Sequence, residues 1–201
     1  MDLSRLFLIA ALFAVFVAML VAGARDADRE VLMLLYAADR PWLEPTARAV
    51  TFLGEWWTMV GITLAGAGWL AWRGLRREAL LLLIASFTGR GLVIGAKAYF
   101  ARLRPEEHLR LVEVSSMSFP SSHASNSMIV LLGLGMLGFQ GRSRHLAVST
   151  ALAIAFAIGL SRPLLGVHWP SDVIGGWSFG AAWLLLVVLI ADRLAPAAVK
   201  R

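Results

Sequence analysis

The chain has 201 residues, of which 59% are hydrophobic and 16% are charged. Soluble globular domains contain roughly 45–50% apolar residues. A water-soluble fold of this length could not bury so much more, so the composition indicates a polytopic membrane protein. The absence of cysteine excludes disulfides, thiol nucleophiles and thiolate metal sites. The formal net charge of +6 lies in short gaps between apolar runs, which is typical of membrane-helix flanks rather than of a nucleic-acid-binding surface.

Six apolar runs have about the length of a bilayer-spanning helix, for which roughly 17–25 residues are needed. In chain order they cover residues 6–24, 56–72, 79–96, 124–141, 146–160 and 173–191. Frequent glycines within the runs favour close packing of helices in lipid. No internal repeat or flexible linker interrupts the pattern. The sequence therefore predicts an all-α fold with about six transmembrane helices, forming a single domain over 1–201 with a motif-bearing core at 79–194.

The first run has two interpretations. Arg5, the apolar run and Ala22-Gly23-Ala24 are similar to a secretory signal with a small-residue cleavage site. Such signals have an apolar stretch of only roughly 7–15 residues, and this run is longer. Its length favours a retained helix over a cleaved signal.

Basic residues in the short gaps predict the orientation in the membrane. With six helices, one side of the membrane receives Arg5 and three basic clusters, which are Arg73/Arg76/Arg77, Arg142/Arg144 and Arg193/Lys200/Arg201. The positive-inside rule then places both termini in the cytoplasm. The loops that contain Arg104, His123 and His168 face the extracytoplasmic side.

The third run ends in a segment with two cations, Lys97 and Arg104. They lie seven residues apart and share a face if the helix continues that far, and Pro105 predicts that it ends near Arg104. Two cations at a helix end can clamp a phosphate, or they can simply extend to the membrane interface.

Arg90 interrupts the same run, seven residues before Lys97. On a continuous helix, Arg90, Lys97 and Arg104 form one stripe, within a drift of about 20° per heptad. Arg90 either supports a site formed by the other two cations or extends to the opposite interface. The sequence leaves both alternatives open.

Residues 118–123, Ser-Phe-Pro-Ser-Ser-His, precede the fourth run. Pro120 followed by Ser121 is a helix-start signal, and the free N–H groups and dipole of a helix start can bind an anion. Ser121 and Ser122 add hydroxyl groups, and His123 can exchange a proton near neutral pH. The alternative is ordinary N-capping by serine.

Residues 161–172 join the last two runs and include Arg162, His168 and Asp172. A carboxylate beside an imidazole fixes its tautomer and raises its nucleophilicity. Pro170 prevents us from assuming a continuous helix between the two, and Asp172 alternatively only stabilises the start of the last helix. One histidine and one carboxylate are too few for a typical metal site.

Together, these segments resemble the signature of the type 2 phosphatidic acid phosphatase superfamily, which also includes the vanadium haloperoxidases. The matching residues are Lys97 with Arg104-Pro105, then Pro120-Ser121-Ser122-His123, then Ser161-Arg162 with His168 and Asp172. Ser122 departs from the glycine of the family's Pro-Ser-Gly-His motif but keeps the backbone N–H that faces the phosphate.

The resemblance implies a helical core with an extracytoplasmic site, in which His168 attacks phosphorus, Asp172 orients it, and His123 protonates the leaving oxygen. The implied phosphate ligands are Lys97, Arg104, Arg162, Ser121 and the Ser122 N–H, and no metal or other cofactor is implied.

The implied activity is removal of a phosphate from a membrane lipid, such as undecaprenyl pyrophosphate, phosphatidic acid, phosphatidylglycerol phosphate or phosphorylated lipid A. A lipid phosphotransferase with the same site and a non-catalytic lipid-binding or transport protein are the alternatives. The interval between the first two motifs either contacts the head group or is a solvated loop; its charged residues are Glu106, Glu107, His108, Arg110 and Glu113. The expected partners are membrane lipids, with no nucleic acid, and the oligomeric state is not predicted.

Overall fold

The fold is described from a computed structural model, which covers residues 3–38 and 40–194. Every regular element within these ranges is helical, so the predicted all-α class is confirmed. The helices are α1 (Leu3–Ala22), α2 (Asp26–Leu35), α3 (Leu43–Leu53), α4 (Trp56–Trp72), α5 (Arg76–Phe100), α6 (Ser122–Gly138), α7 (Gly141–Leu164) and α8 (Pro170–Leu194). A short 3-10 turn lies at Glu107–Leu109.

Each of the six predicted apolar runs forms a helix. By length and composition, four of these, α1, α5, α7 and α8, can cross a membrane. Helices α4 and α6 have 17 residues each, at the lower end of the roughly 17–25 residues that a span requires. The count of six spans is supported for four helices and stays a prediction for the other two.

Residues 25–55, which separate the first two apolar runs, contain the helices α2 and α3. Both are amphipathic and only 10 and 11 residues long, so they cannot span a bilayer. They pack on α7 and α8 beside the ends of the long helices. Neither helix contains an apolar run of membrane length, so the hydropathy pattern did not predict them.

The long helices pack around a core between α5, α6, α7 and α8. Its buried residues are Ala85, Val93, Met128, Ile129, Leu132, Ala155, Phe179 and Leu184. Helix α1 lies along α8, where Phe16 packs on Phe179 with ring centroids 5.7 Å apart. A Cβ on Gly176 would lie 2.8 Å from the Ser121 carbonyl oxygen, so this glycine allows the starts of α6 and α8 to approach closely.

The two ends of the bundle differ in character. At one end, Arg5 at the start of α1 and Arg77 at the start of α5 both pair with Asp192 near the end of α8. At the other end lie the end of α5, the starts of α6 and α8, and the end of α7, which hold the three motif segments. Lys200 and Arg201 of the predicted basic terminus lie outside the described residues.

Helix α5 ends earlier than predicted. Its last residue is Phe100, and Ala101 adopts a left-handed conformation with φ of 46° while its N–H bonds the Lys97 carbonyl. Arg104 therefore lies in the following loop, and the predicted helical stripe of Arg90, Lys97 and Arg104 is wrong at its last member. The three side chains nevertheless line the same cavity.

Candidate active site

A cavity of about 610 Å³ opens where the motif segments meet. Six of the eight residues expected at the site line it: Lys97, Arg104, Ser122, His123, Arg162 and His168. The other two, Ser121 and Asp172, are fully buried behind its wall. The structure therefore brings the predicted residues together from helices α5, α6, α7 and α8 and from the loops that follow α5 and precede α8.

Asp172 is the point where the motif segments join. One carboxylate oxygen, Oδ2, lies 3.2 Å from His168 Nδ1 and accepts hydrogen bonds from the Ser118 hydroxyl at 2.5 Å and the Trp169 N–H at 2.9 Å. The Asp172 carbonyl accepts the Ser121 N–H at 3.0 Å. Because Pro170 begins α8 and Trp169 lies just before it, the carboxylate both stabilises the helix start and faces His168. The two alternatives for Asp172 are thus both realised.

His168 is buried at the wall of the cavity, near Lys97 and Arg104, and one of its ring nitrogens faces the cavity. Its Nδ1 faces Asp172, which leaves Nε2 as the nitrogen available to a substrate. Burial lowers the pKa of His168 well below 6.5, and the positive charges of Arg104 and Lys97 lower it further. The ring is therefore neutral at physiological pH, the state in which an imidazole is a nucleophile.

The two cations of the first motif are held by carbonyl groups instead of carboxylates. Lys97 Nζ donates to the carbonyls of Met117 and Ser118, at 2.5 and 3.1 Å. Arg104 donates to the carbonyls of Ser116 and Val167, both at 2.6 Å. Burial lowers the pKa of Arg104 to about 10, so it remains charged at neutral pH. These contacts position both side chains without a carboxylate partner.

Arg162 completes the set of three cations. Its Nη1 donates to the Thr51 hydroxyl of α3 at 2.6 Å, while its Nε is buried with no partner among the described residues. A buried guanidinium N–H without an acceptor is costly. An anion in the cavity can satisfy it.

His123 lines the cavity and is paired with Glu55. Its Nε2 lies 3.6 Å from the Glu55 carboxylate. The interaction with His123 lowers the pKa of Glu55, so the carboxylate stays ionised beside the ring. A Cβ on Gly54 would lie 2.6 Å from His123 Cδ2, so the chain before α4 can approach the ring only because residue 54 is glycine.

The start of α6 points its amide groups toward this site. Ser121 is the N-cap, and its hydroxyl accepts the Ala124 N–H at 3.5 Å. Ser122 and His123 are the first helical residues, whose N–H groups have no acceptor within the helix. Ser121 thus has the capping role given as its alternative, and its predicted phosphate contact stays a prediction.

The comparisons with known proteins agree with this geometry. A sequence model described as the PAP2 superfamily matches residues 78–195. The chain belongs to the PAP2 superfamily. It is an integral membrane protein of the PAP2 lipid phosphatase family.

Two groups of relatives and two solved structures define the similarity. The chain is 32% identical to phosphatidylglycerophosphatase B of Bacillus subtilis over 82% of its own length and 83% of the relative's. It is 35% identical to the decaprenylphosphoryl-5-phosphoribose phosphatase of Mycobacterium tuberculosis over 71% and 77%. The crystal structure of a transmembrane PAP2-type phosphatidylglycerolphosphate phosphatase from Bacillus subtilis superposes with a TM-score of 0.83 at 29% identity, covering 94% and 98% of the two chains. Aquifex aeolicus LpxE shares the fold, with a TM-score of 0.69 at 22% identity over 84% and 98%.

Arg102, which was not predicted as a site residue, is the ion-pair partner of Asp172 in this PAP2 protein. Its guanidinium donates to Asp172 Oδ1 at 2.8 Å, and the two side chains are only 9% and 0% exposed. Arg102 also donates to the Ser171 hydroxyl and to the carbonyls of Met19 and Leu20 at the end of α1. In the sequence, only its position between Lys97 and Arg104 suggested that Arg102 lies near the site.

Glu55, Thr51 and Ser118 were also missed. Glu55 and Thr51 lie between the first two apolar runs, where no site residue was predicted, and Ser118 lies in the second motif segment but was not assigned a role. Nothing in their local sequence distinguishes them from ordinary polar residues. Their significance depends on neighbours that are distant in the chain, namely His123, Arg162 and Asp172.

Of the charged residues between the first two motifs, only Glu113 lines the cavity. Glu106 pairs with Arg29 of α2, and Arg110 donates to the Pro105 carbonyl at 2.8 Å. Glu107 lies in a separate surface depression. Within the described residues, no group of three His, Asp or Glu side chains is arranged as metal ligands.

Replacing Arg102 by Met tests its support of Asp172. Arg102 does not line the cavity, so we expect kcat to fall while KM changes little. Interaction free energies between contacting residues correspond to roughly 10- to 100-fold in rate. Arg102→Lys should recover part of the loss, and Arg142→Met at the other end of the bundle is the control. A rise in KM with unchanged kcat would contradict the positioning role.

The protonation of His168 can be measured directly by NMR of the imidazole groups in detergent micelles. We expect the resonance that disappears in His168→Gln to keep its neutral shifts at pH values where a free imidazole, which is half protonated near pH 6.5, is already protonated. The lowered pKa of His168 sets the sign, because burial disfavours the cation. Protonation of this ring above pH 6.5 would show that the Asp172 charge dominates over burial.

Proposed function

We propose that this PAP2 protein hydrolyses a lipid phosphate through a phosphohistidine formed on His168. The observation that carries the proposal is the His168–Asp172 pair at the wall of a cavity lined by three motif cations. Neutral imidazole is a nucleophile, and its charge on phosphorylation is balanced by the adjacent carboxylate. Lys97, Arg104 and Arg162 stabilise the phosphoryl oxygens as charge develops in the transition state.

In the first step, Nε2 of His168 attacks phosphorus, the N–P bond forms, and the bond from phosphorus to the lipid oxygen breaks. His123 donates a proton to that leaving oxygen and becomes neutral. Burial and the positive charge of Arg162 lower the pKa of His123 to about 4, and Glu55 opposes this shift. The negative charge of the bound phosphate favours the protonated ring in the same way as Glu55, so His123 takes up its proton as the substrate binds. In the second step, His123 takes a proton from water, which attacks phosphorus, and the N–P bond breaks to release phosphate and neutral His168.

The substrate is a lipid whose tail remains in the bilayer. The cavity lies at the ends of the long apolar helices, and its wall includes Val93, Ile94 and Trp56 beside the cations. Relatives are named for phosphatidylglycerophosphate, for decaprenylphosphoryl-5-phosphoribose, for lipid A and for an undecaprenyl diphosphate. Their shared feature is a phosphate near the head of a long-chain lipid.

We place the site on the extracytoplasmic side. The arginines that the positive-inside rule assigns to the cytoplasm include Arg5 and Arg77, and both lie at the end of the bundle opposite the cavity. Both termini are then cytoplasmic. Products released from the cavity enter the extracytoplasmic space or the outer part of the bilayer.

A trapping experiment tests the nucleophile. We expect protein rapidly quenched with lipid carrying radiolabel on its terminal phosphate to retain acid-labile, base-stable label. His168→Ala should retain none and should lose turnover, and His145→Ala, at the other end of the bundle, should behave as the unmodified protein. Substantial activity in His168→Ala would refute the mechanism.

The same preparation tests whether the three cations suffice without a metal. We expect a chelator to leave turnover unchanged and the label to leave as inorganic phosphate. Loss of activity that Mg²⁺ restores would show metal-assisted chemistry. Transfer of the label to a second lipid would show that the protein is a phosphotransferase.

Single cysteines test the orientation without background, because the chain contains none. Ser143 and Glu107 are exposed at opposite ends of the bundle. In intact cells, a membrane-impermeant thiol reagent should label Glu107→Cys directly but Ser143→Cys only after the membrane is opened. The reverse pattern would invert the assigned topology.

A further inference from the structure

The floor of the cavity is polar at a depth where the surrounding residues are apolar. Arg90 and Asn126 line the cavity together with the catalytic groups, and both also line a small void of about 20 Å³ that continues from it. Ser86 borders the same void. The void is large enough for one water-sized group.

Two of these polar groups have no hydrogen-bond partner among the described residues. Asn126 is only 6% exposed and Ser86 only 9%, and the Asn126 Oδ1 and Ser86 Oγ atoms are both unpaired. Unpaired buried polar atoms are costly, most of all within a membrane. A polar group of a bound molecule would remove that cost.

Arg90 lines the same cavity. Its side chain therefore does not extend to the opposite membrane interface, which was one of the two alternatives for this residue. Its guanidinium lies over the Trp56 ring, 5.5 Å from the centroid. Stacking on an aromatic face restrains an arginine while its N–H edges remain available for acceptors. An anionic oxygen within the cavity is the acceptor that fits best.

Asn126 and Arg90 lie deeper in the bilayer than the catalytic groups on the same helices. On α6, Asn126 is three residues and about 4.5 Å deeper than His123. On α5, Arg90 is seven residues and about 10 Å deeper than Lys97. Below the catalytic groups, the cavity therefore offers an acceptor for a hydroxyl and a cation for a second anion.

We propose that Arg90 and Asn126 form a second subsite, which binds the hydroxyl-bearing linker and the phosphodiester of a lipid with two phosphate groups. The lipid's terminal phosphomonoester lies at His168, its linker hydroxyl donates to Asn126 Oδ1, and its phosphodiester accepts from Arg90. The inference rests on the proposed function and narrows its substrate class. Phosphatidylglycerol phosphate carries all three groups, whereas phosphatidic acid has neither the linker hydroxyl nor the second phosphate.

Selectivity between matched lipids tests the subsite. We compare phosphatidylglycerol phosphate, an analogue with propanediol in place of the phosphorylated glycerol, and phosphatidic acid, all with the same acyl chains. Arg90→Met should lower kcat/KM for the first two lipids by about 10- to 100-fold, as expected for a lost charge-assisted hydrogen bond. It should change phosphatidic acid hydrolysis by less than about threefold. Arg73→Met is the matched control, because Arg73 also lies over a tryptophan, Trp69, at 5.0 Å from its ring centroid.

Asn126→Leu isolates the hydroxyl contact. We expect it to lower kcat/KM for phosphatidylglycerol phosphate by about tenfold and to leave the propanediol analogue and phosphatidic acid nearly unchanged. If Arg90→Met does not fold, Arg90→Lys keeps the charge but loses the planar fork, and it should reduce the same preference.

Equal effects on all three lipids, or a loss of thermal stability without a change in selectivity, would overturn the subsite and leave a void that holds only water. Binding of the lipids to His168→Ala separates this outcome from failure of the proposed function. If the unmodified protein hydrolyses none of them, the phosphatase proposal fails, and the affinity of His168→Ala with and without Arg90→Met still decides the subsite. If it hydrolyses them without the expected selectivity, only the subsite is wrong.

Discussion

The buried carboxylate of Asp172 is the interaction on which the site depends. Arg102 from the loop after α5, Ser118 from the loop before α6 and His168 from the loop before α8 all contact its two oxygens. A fully buried carboxylate is tolerable only when it is paired and hydrogen-bonded throughout. The requirement to satisfy one charge therefore fixes three chain segments relative to each other, and with them the nucleophile.

The cations near Asp172 have two different roles: Arg102 pairs with the carboxylate, and the others line the cavity. Burial and the positive charges of Arg104 and Lys97 keep His168 neutral. Lys97 and Arg104 are oriented by carbonyl groups and Arg162 by a hydroxyl. Four cations and two carboxylates line the cavity, which leaves an excess of positive charge in a partly desolvated space. Such a space attracts a phosphate and holds its oxygens before any bond changes.

The helices and most of the cavity-lining residues could be predicted from the sequence, because they depend on long apolar runs and on residue spacing. Every apolar run became a helix, and Lys97, Arg104, His123, Arg162 and His168 meet around one cavity as expected. The helix boundary after Phe100 could not be predicted, because Pro105 restricts Arg104 alone. The turn at Ala101, which costs roughly 1–2 kcal/mol for a non-glycine residue, precedes an arginine whose partner, Asp172, is 70 residues away. The roles of Glu55 and Thr51 could not be predicted for a similar reason, because each contacts a side chain from a helix that is distant in the sequence.

The residues that position the motifs limit which chimeras between members of the family can be active. The segment matched by the family model begins at residue 78, yet α1 supplies carbonyls to Arg102, α3 supplies Thr51 to Arg162, and the chain before α4 supplies Glu55 to His123. A chimera that combined the motif half of this chain with the amino-terminal half of a relative would retain every signature residue. It would be inactive unless the donor half also carried matching partners for those three contacts. Compatibility between homologous halves therefore depends on these three contacts, and the breakpoint of a chimera should be chosen from them and not from the motif boundaries.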